Sequence, residues 1–158
     1  LTIDPGGILN LGGQAVTAGK LNVQGLLKGI GSITGNVVNN GNVSPGNSPG
    51  LLNIIGNYVQ GPTGVLNIEV GGVTGPGVNF DRLAVTGNTT LNGTLAVQQF
   101  NSFVPSGLVA VGGLCGIGLW GRGGCCSFFR RFGCSVHLCR YRRYGCSYSS
   151  TLGSHWAR

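Results

Sequence analysis

Gly50-Leu51-Leu52-Asn53-Ile54-Ile55-Gly56-Asn57-Tyr58-Val59-Gln60-Gly61-Pro62-Thr63-Gly64-Val65-Leu66-Asn67-Ile68-Glu69-Val70 is the stretch that decides the fold class. Leu52 and Ile54 flank Asn53, and Leu66 and Ile68 flank Asn67. A period of two puts the aliphatic side chains on one face of a strand and the amides on the other. Between the two runs stands Gly61-Pro62-Thr63-Gly64, a cluster that supplies the fixed and positive φ values of a chain reversal.

Outward from this stretch the same unit returns, as Leu9-Asn10-Leu11, Leu21-Asn22-Val23 and Leu91-Asn92, with Leu-to-Leu spacings of 12, 31, 14 and 25 along the five copies. Further turn clusters separate the units, at Pro5-Gly6-Gly7, Asn39-Asn40-Gly41-Asn42, Pro45-Gly46-Asn47-Ser48-Pro49-Gly50 and Gly75-Pro76-Gly77. No window between them sustains a 3.6-residue period, so helices are not expected. One such strand cannot bury its apolar face alone. Stacked copies can, each covering the next, which is the logic of a solenoid. At about 20 residues per coil the region holds roughly five coils, and asparagines at equivalent positions would form amide ladders along the stack. The competing all-β arrangement is an antiparallel sandwich with hairpins at Asn40-Gly41 and Asn92-Gly93.

Composition divides the 158 residues in two. Only 8% are charged and 41% are hydrophobic, which excludes a disordered, highly charged chain. The 32 glycines lack a three-residue period, which excludes collagen. Up to residue 108, Lys20, Lys28 and Arg82 balance Asp4, Glu69 and Asp81. The whole excess of +7 comes from Arg122, Arg130, Arg131, Arg140, Arg142, Arg143 and Arg158. Every Cys, His and Trp also lies in that last part, whereas all asparagines end at Asn101. The boundary predicts two domains: 1–105, built of repeats, and 106–158, a poorly ordered Cys/Arg-rich tail. The opening Leu1-Thr2-Ile3-Asp4 and the lack of any Met predict a piece of a longer polypeptide.

The order of segments from Gly41 onward carries a family likeness. Asn42-Val43-Ser44-Pro45-Gly46-Asn47-Ser48-Pro49-Gly50 leads to Gly56-Asn57-Tyr58, then to Ile68-Glu69, Asp81-Arg82-Leu83 and Gly93-Thr94-Leu95. Over about residues 30–105 this resembles the passenger domains of bacterial autotransporters and filamentous-haemagglutinin-like β-helix adhesins. The resemblance implies a right-handed parallel β-helix, secreted or displayed at the bacterial cell surface. Its role would be structural or adhesive, with host or neighbouring-cell surface molecules or carbohydrate as partners. Contact with the outer membrane would come only through a missing C-terminal barrel. The resemblance brings over no active-site residue, because the shared positions are turns and core.

Candidate chemistry is sparse. Glu69 and Asp81 are the acids that adjacent coils would bring together as a paired-carboxylate site for work on sugars. The plainer expectation is that Glu69 solvates an outer strand face and Asp81-Arg82 closes a turn with a local hydrogen bond. Gly29-Ile30-Gly31-Ser32-Ile33-Thr34-Gly35 lacks the spacing of a phosphate-binding loop and reads as turns. Asn stands where a calcium-binding roll needs Asp. Asn42, Asn88 and Asn92 match the glycosylation acceptor pattern, a chance match in an Asn-rich chain.

In the tail, Cys125, Cys126, Cys134, His137, Cys139 and Cys146 admit a zinc reading, but no second Cys/His pair matches Cys134 and His137 at ribbon spacing. A cationic disulfide miniprotein is the second reading. An apolar sorting anchor over Gly107–Trp120 is the third, and it is too short for a membrane span of about 20 residues. The loss of Asn with the gain of Cys, Arg and Trp favours a fourth, translation out of frame. The expectation is therefore an all-β solenoid fragment with no catalytic residues, cofactor, metal or specific nucleic-acid partner. The rival is a cationic Cys-rich effector or metal-binding protein acting through residues 115–146.

Overall fold

The computed structural model describes residues 1–103 in full. Beyond them it describes only the backbone of the short strands Val109–Leu114, Gly116–Trp120, Cys125–Phe128, Leu138–Arg142 and Gly145–Ser147. Among the described residues there is no helix. Residues 1–103 form β1 (Thr2–Ile3), β2 (Ile8–Asn10), β3 (Ala15–Val23), β4 (Leu26–Gly29), β5 (Gly31–Asn39) and β6 (Asn42–Pro45). They continue with β7 (Leu51–Ile55), β8 (Tyr58–Gln60), β9 (Val65–Val70), β10 (Arg82–Val85), β11 (Thr89–Thr90) and β12 (Thr94–Gln99).

These strands build two sheets by turns. One runs β1-β3-β5-β7-β10, with β8 also beside β5 and β11 beside β8; the other runs β2-β4-β6-β9-β12. Every ladder among the twelve is parallel. Each pass of the chain thus lays one strand, or the pair β7 and β8 or β10 and β11, on the first sheet and the next strand on the second. Past β12 the second sheet continues, through Val97 opposite Cys146, into the later strands, whose ladders are antiparallel.

Register stacks like on like. On the second sheet Leu9, Leu27, Val43, Leu66 and Leu95 form one row, at intervals of 18, 16, 23 and 29 residues. On the first, Val16, Ile33, Ile54 and Val85 form another, at intervals of 17, 21 and 31. Rows from both sheets meet in a single core cluster, in which Leu21, Leu27, Ile33, Leu52 and Ile54 are fully buried. Complete burial of each such side chain stabilises the fold by roughly 1.5–3 kcal/mol.

The alternation read from the Leu-Asn units holds: Leu21 and Val23, Leu52 and Ile54, and Leu66 and Ile68 are buried, with Asn22, Asn53 and Asn67 half-buried between them. The units are not, however, equivalent positions. Leu9 and Leu66 lie on the second sheet, Leu21 and Leu52 on the first, and Leu91 follows β11. Their uneven spacing follows from that, and so does the absence of an amide ladder through them: Asn53 pairs with Ser32 and Ala84, and Asn67 with Ala96.

The repeat that does stack is Gly-Asn, with an aliphatic residue of the core two positions before the glycine: Ile33 and Ile54 buried, Val85 half-buried. Ser32-Ile33-Thr34-Gly35-Asn36, Asn53-Ile54-Ile55-Gly56-Asn57 and Ala84-Val85-Thr86-Gly87-Asn88 lie one above another at a bend within the first sheet. The N–H of Asn57 donates to Asn36 Oδ1 (3.0 Å), and the N–H of Asn88 donates to Asn57 Oδ1 (2.7 Å). The asparagine ladder therefore lies at a bend, where it satisfies backbone donors that leave the strand ladder.

A second constant corner joins the first sheet to the second. There the carbonyls of Gly7, Gly25, Gly41 and Gly64 accept the N–H groups of Leu26, Asn42, Val65 and Thr94 at 2.9, 2.8, 2.8 and 2.9 Å. Asn40-Gly41 and Asn92-Gly93 both sit in this corner. The strands flanking each pair pass to different sheets, so neither pair makes the hairpin of an antiparallel sandwich. Glycine is needed at Gly41 for space rather than for φ: a Cβ there would collide with the backbone of Gln24 and Gly25 in the preceding pass.

Candidate functional site: a polar cleft on the second sheet

The cleft begins where β6 stops. Its residues pair with β4 from Leu26 to Gly29, but β9 finds partners on it only at Asn42 and Val43. Pro45 and Pro49 have no N–H to continue the ladder. Gly46 (φ 95°) and Ser48 (φ 94°) turn the chain out of the sheet. Beside β9 this leaves a cleft of about 320 Å3, bounded by the loop from Pro45 to Ser48.

Its floor is polar. Lys28, Ser44 and Asn67 stand on adjacent strands, and Asn67 Nδ2 donates to Ser44 Oγ at 3.2 Å. Glu69 follows two residues along β9, and Gln98 stands opposite it on β12. The cleft is lined by one cation (Lys28), three amides (Asn47, Asn67 and Gln98), two hydroxyls (Ser44 and Ser48) and two carboxylates (Glu69 and Asp81), an arrangement suited to hydrogen-bonded recognition.

Asp81 closes the base of the cleft. The structure brings it to Glu69, as the spacing of the two acids allowed, but in a different role from a local turn closure. Its Oδ1 accepts the N–H of Gly50 at 2.7 Å and its Oδ2 the N–H of Glu69 at 2.8 Å. Its own N–H donates to the Glu69 carbonyl at 2.8 Å. The carboxylate therefore ties the start of β7 to β9 across 31 and 12 residues of chain. Only 3% of the residue is exposed, and burial pushes its carboxyl up to about 6. The two amide donors work against that rise and the neighbouring Glu69 charge adds to it. With both Asp81 oxygens engaged by backbone, Glu69 is the one carboxylate left to the cleft. That does not match the two free carboxyl groups of glycoside hydrolysis.

A second polar group lies inside the core. In the row Ile3, Val23, Asn39, Gln60, two polar residues follow apolar ones. Asn39 Nδ2 donates to Tyr58 Oη (3.1 Å) and to the Val65 carbonyl (3.1 Å), while its Oδ1 accepts from Gly41 (3.1 Å). Tyr58 Oη donates to Gln60 Oε1 (3.0 Å), and Gln60 Nε2 donates to the Gly64, Asn92 and Thr94 carbonyls (3.1, 2.6 and 2.9 Å). Every polar atom of the group is satisfied, and burial raises the Tyr58 hydroxyl pKa well above the usual phenol value. Its role is to hold the corner before β6 and β9.

Gly31 and Gly35, expected in turns, lie within β5. Cys134 and His137 fall outside the described residues, as do the side chains of Cys125, Cys126, Cys139 and Cys146. Among the described residues no three His, Cys, Asp or Glu side chains gather as a metal site. Comparison with protein-family models, curated proteins and solved structures finds no match.

Sequence reading missed Lys28, Ser44, Asn67 and Gln98 as a group, because only the register across passes of unequal length puts them together. The signal that was present is the Ser44-Pro45-Gly46-Asn47-Ser48-Pro49-Gly50 run, which marks where β6 must end.

Proposed function

We propose that this chain is a segment of a right-handed parallel β-helix from a secreted or outer-membrane-associated bacterial surface protein of autotransporter or filamentous-haemagglutinin type. Its role is to be a rigid scaffold that holds adhesive surface away from the cell. It carries out no reaction of its own. Its partners are host or neighbouring-cell surface molecules or carbohydrate. Attachment to the membrane belongs to a C-terminal barrel outside this sequence.

The observation that carries this reading is the regular passage of the chain from one parallel set of strands to the other and back, in chain order over β1–β12, with aliphatic rows running across the passes. An array of that kind extends by adding passes and needs no closed site to be stable. The order of the Ser-Pro-Gly, Gly-Asn-Tyr, Ile-Glu, Asp-Arg-Leu and Gly-Thr-Leu segments supports the family assignment.

The test has two parts. The paired changes Thr34→Cys and Ile55→Cys, at exposed positions in register on successive passes, should cross-link under mild oxidation; failure to cross-link would remove the stacked parallel arrangement. Placed upstream of an outer-membrane barrel in a bacterium, the chain should reach the surface and protect itself from added protease over residues 1–103. Retention in the periplasm, or rapid cleavage within the aliphatic rows, would remove the surface-scaffold role.

A further inference from the structure

We propose that the cleft between the Pro45–Ser48 loop and β9 is a binding site for one neutral sugar residue of a glycan. The inference rests on the carbohydrate-partner part of the proposed function and gives it a site; a chain that fails to bind sugar loses that partner but keeps every feature on which the scaffold role stands.

Size comes first. A volume of about 320 Å3 lies at the small end of ligand sites, which start near 300 Å3. That scale suits one ring, not a peptide or a nucleic-acid strand. The lining chemistry comes second. Sugar hydroxyls both donate and accept, and an amide presents one donor group beside one acceptor, so it matches a pair of adjacent hydroxyls. Asn67 and Gln98 supply amides, Ser44 a hydroxyl, Lys28 a donor and Glu69 an acceptor.

Charge comes third. Lys28 is the one cation in the lining and faces two carboxylates, Glu69 and Asp81, so a carboxylated or sulfated sugar would gain no net attraction. A hard cation is disfavoured by the same set. Both Asp81 oxygens already accept backbone N–H groups, and a calcium ion calls for six to eight oxygens.

Preorganisation comes fourth. Asp81 fixes Gly50 and Glu69 to each other, and Ser48 is held at φ 94°, a conformation that non-glycine residues avoid unless their surroundings impose it. A cleft whose walls are already fixed loses little freedom when a ligand enters.

The experiment is retention of the full chain on an array of immobilised neutral oligosaccharides (hexose and N-acetylhexosamine polymers) beside acidic ones. Titration calorimetry against the best neutral oligosaccharide and against calcium chloride follows. A single ring held by a few hydrogen bonds gives a Kd on the order of 1 mM, strengthened on the array by multivalency. The expected result is retention on neutral glycans that Gln98→Ala and Asn67→Ala each weaken by about tenfold, the loss of one good hydrogen bond. Gln98 is exposed on the sheet, so its truncation leaves the fold intact and keeps the test meaningful if Asn67→Ala perturbs β9. Thr34→Ala, on an exposed position of the other sheet, should leave retention unchanged. Retention on acidic glycans alone would overturn the assignment, as would binding untouched by Gln98→Ala, calcium binding that Glu69→Gln abolishes, or no retention at all.

Discussion

The two sides of this molecule where the chain changes sheets are built on opposite terms. From the first sheet to the second it always passes through a glycine, at Gly7, Gly25, Gly41, Gly64 and Gly93, and each new pass hydrogen-bonds to the one before. The return from the second sheet to the first varies. Ile30 alone separates β4 from β5, whereas residues 46–50 separate β6 from β7 and residues 71–81 separate β9 from β10. Constancy on one side holds the aliphatic rows in register. Variation on the other is tolerated because longer returns bulge outward without disturbing those rows. The cleft lies on the variable side, where a shortened β6 and a long return face each other. A stacked parallel fold can therefore acquire a site by lengthening a loop, at little cost to its core.

That contrast is breakable. Gly41→Ala puts a methyl group against the backbone of Gln24 and Gly25, which cannot yield as a side-chain tip would. It should cost about 3 kcal/mol, the upper range for overpacking, read as a lower urea midpoint. Inserting two glycines after Thr74, in the exposed long return, should cost at most about 0.5 kcal/mol, since loop closure depends only weakly on length. If the insertion proves as costly as Gly41→Ala, the two sides are not different in kind.

Gln60→Ala tests whether the constant corner also depends on its buried amide. It removes the donor to the Gly64, Asn92 and Thr94 carbonyls, and should cost about 2 kcal/mol for groups left buried without partners. Replacing Asn39 by valine and Gln60 by isoleucine together, the residue types at Val23 and Ile3 in the same row, should cost less than the same two replacements made singly and summed. A fully additive result would mean that the amides act independently of each other.

These residues also mark how far the sequence could be read. Strand character and the buried face were legible at Leu52, Ile54, Leu66 and Ile68, because a period of two is a local property. Which sheet each strand joins was not legible, because the same Leu-Asn unit serves both sheets. The Gly-Asn repeat at Gly35, Gly56 and Gly87 was visible in principle, but its spacings of 21 and 31 residues hid it behind the commoner Leu-Asn pair. Asn40-Gly41 looked like a hairpin because turn chemistry is the same whether the next strand returns to its own sheet or crosses to another. The candidate acids were legible as a pair. Asp81's partners were not, since Gly50 comes near only when two loops of unrelated length are folded.

On the variable side, Asp81 makes stability depend on pH. Its carboxyl is raised in the folded chain from 3.8 to about 6, chiefly by burial, so the folded state holds a proton that the unfolded state releases. The stabilisation is complete below about pH 3.8 and is lost as pH rises through about 6. The urea midpoint should therefore fall between pH 4 and pH 6.5 in the native chain, and Asp81→Asn should flatten that fall. A midpoint that rises over the same interval would mean that the two amide donors outweigh burial and that Asp81 is an ordinary clamped carboxylate.

A small effect belongs to Ser48, and it bears most directly on how a site is built into a stacked fold. A non-glycine residue at φ 94° carries a steric penalty of roughly 1–2 kcal/mol. Ser48→Gly relieves that penalty but gives the unfolded chain extra freedom worth up to about 1 kcal/mol. The net change should be a stabilisation of about 0.5 kcal/mol, measured as a small rise in Tm. If Ser48 is strained in order to shape the cleft wall, the same variant should bind neutral glycan more weakly while being more stable. Movement of both quantities in the same direction would make the strain an incidental result of fitting a loop between Pro45 and Pro49. Opposite movements would show that the variable side of the fold gives up some stability to hold a defined surface.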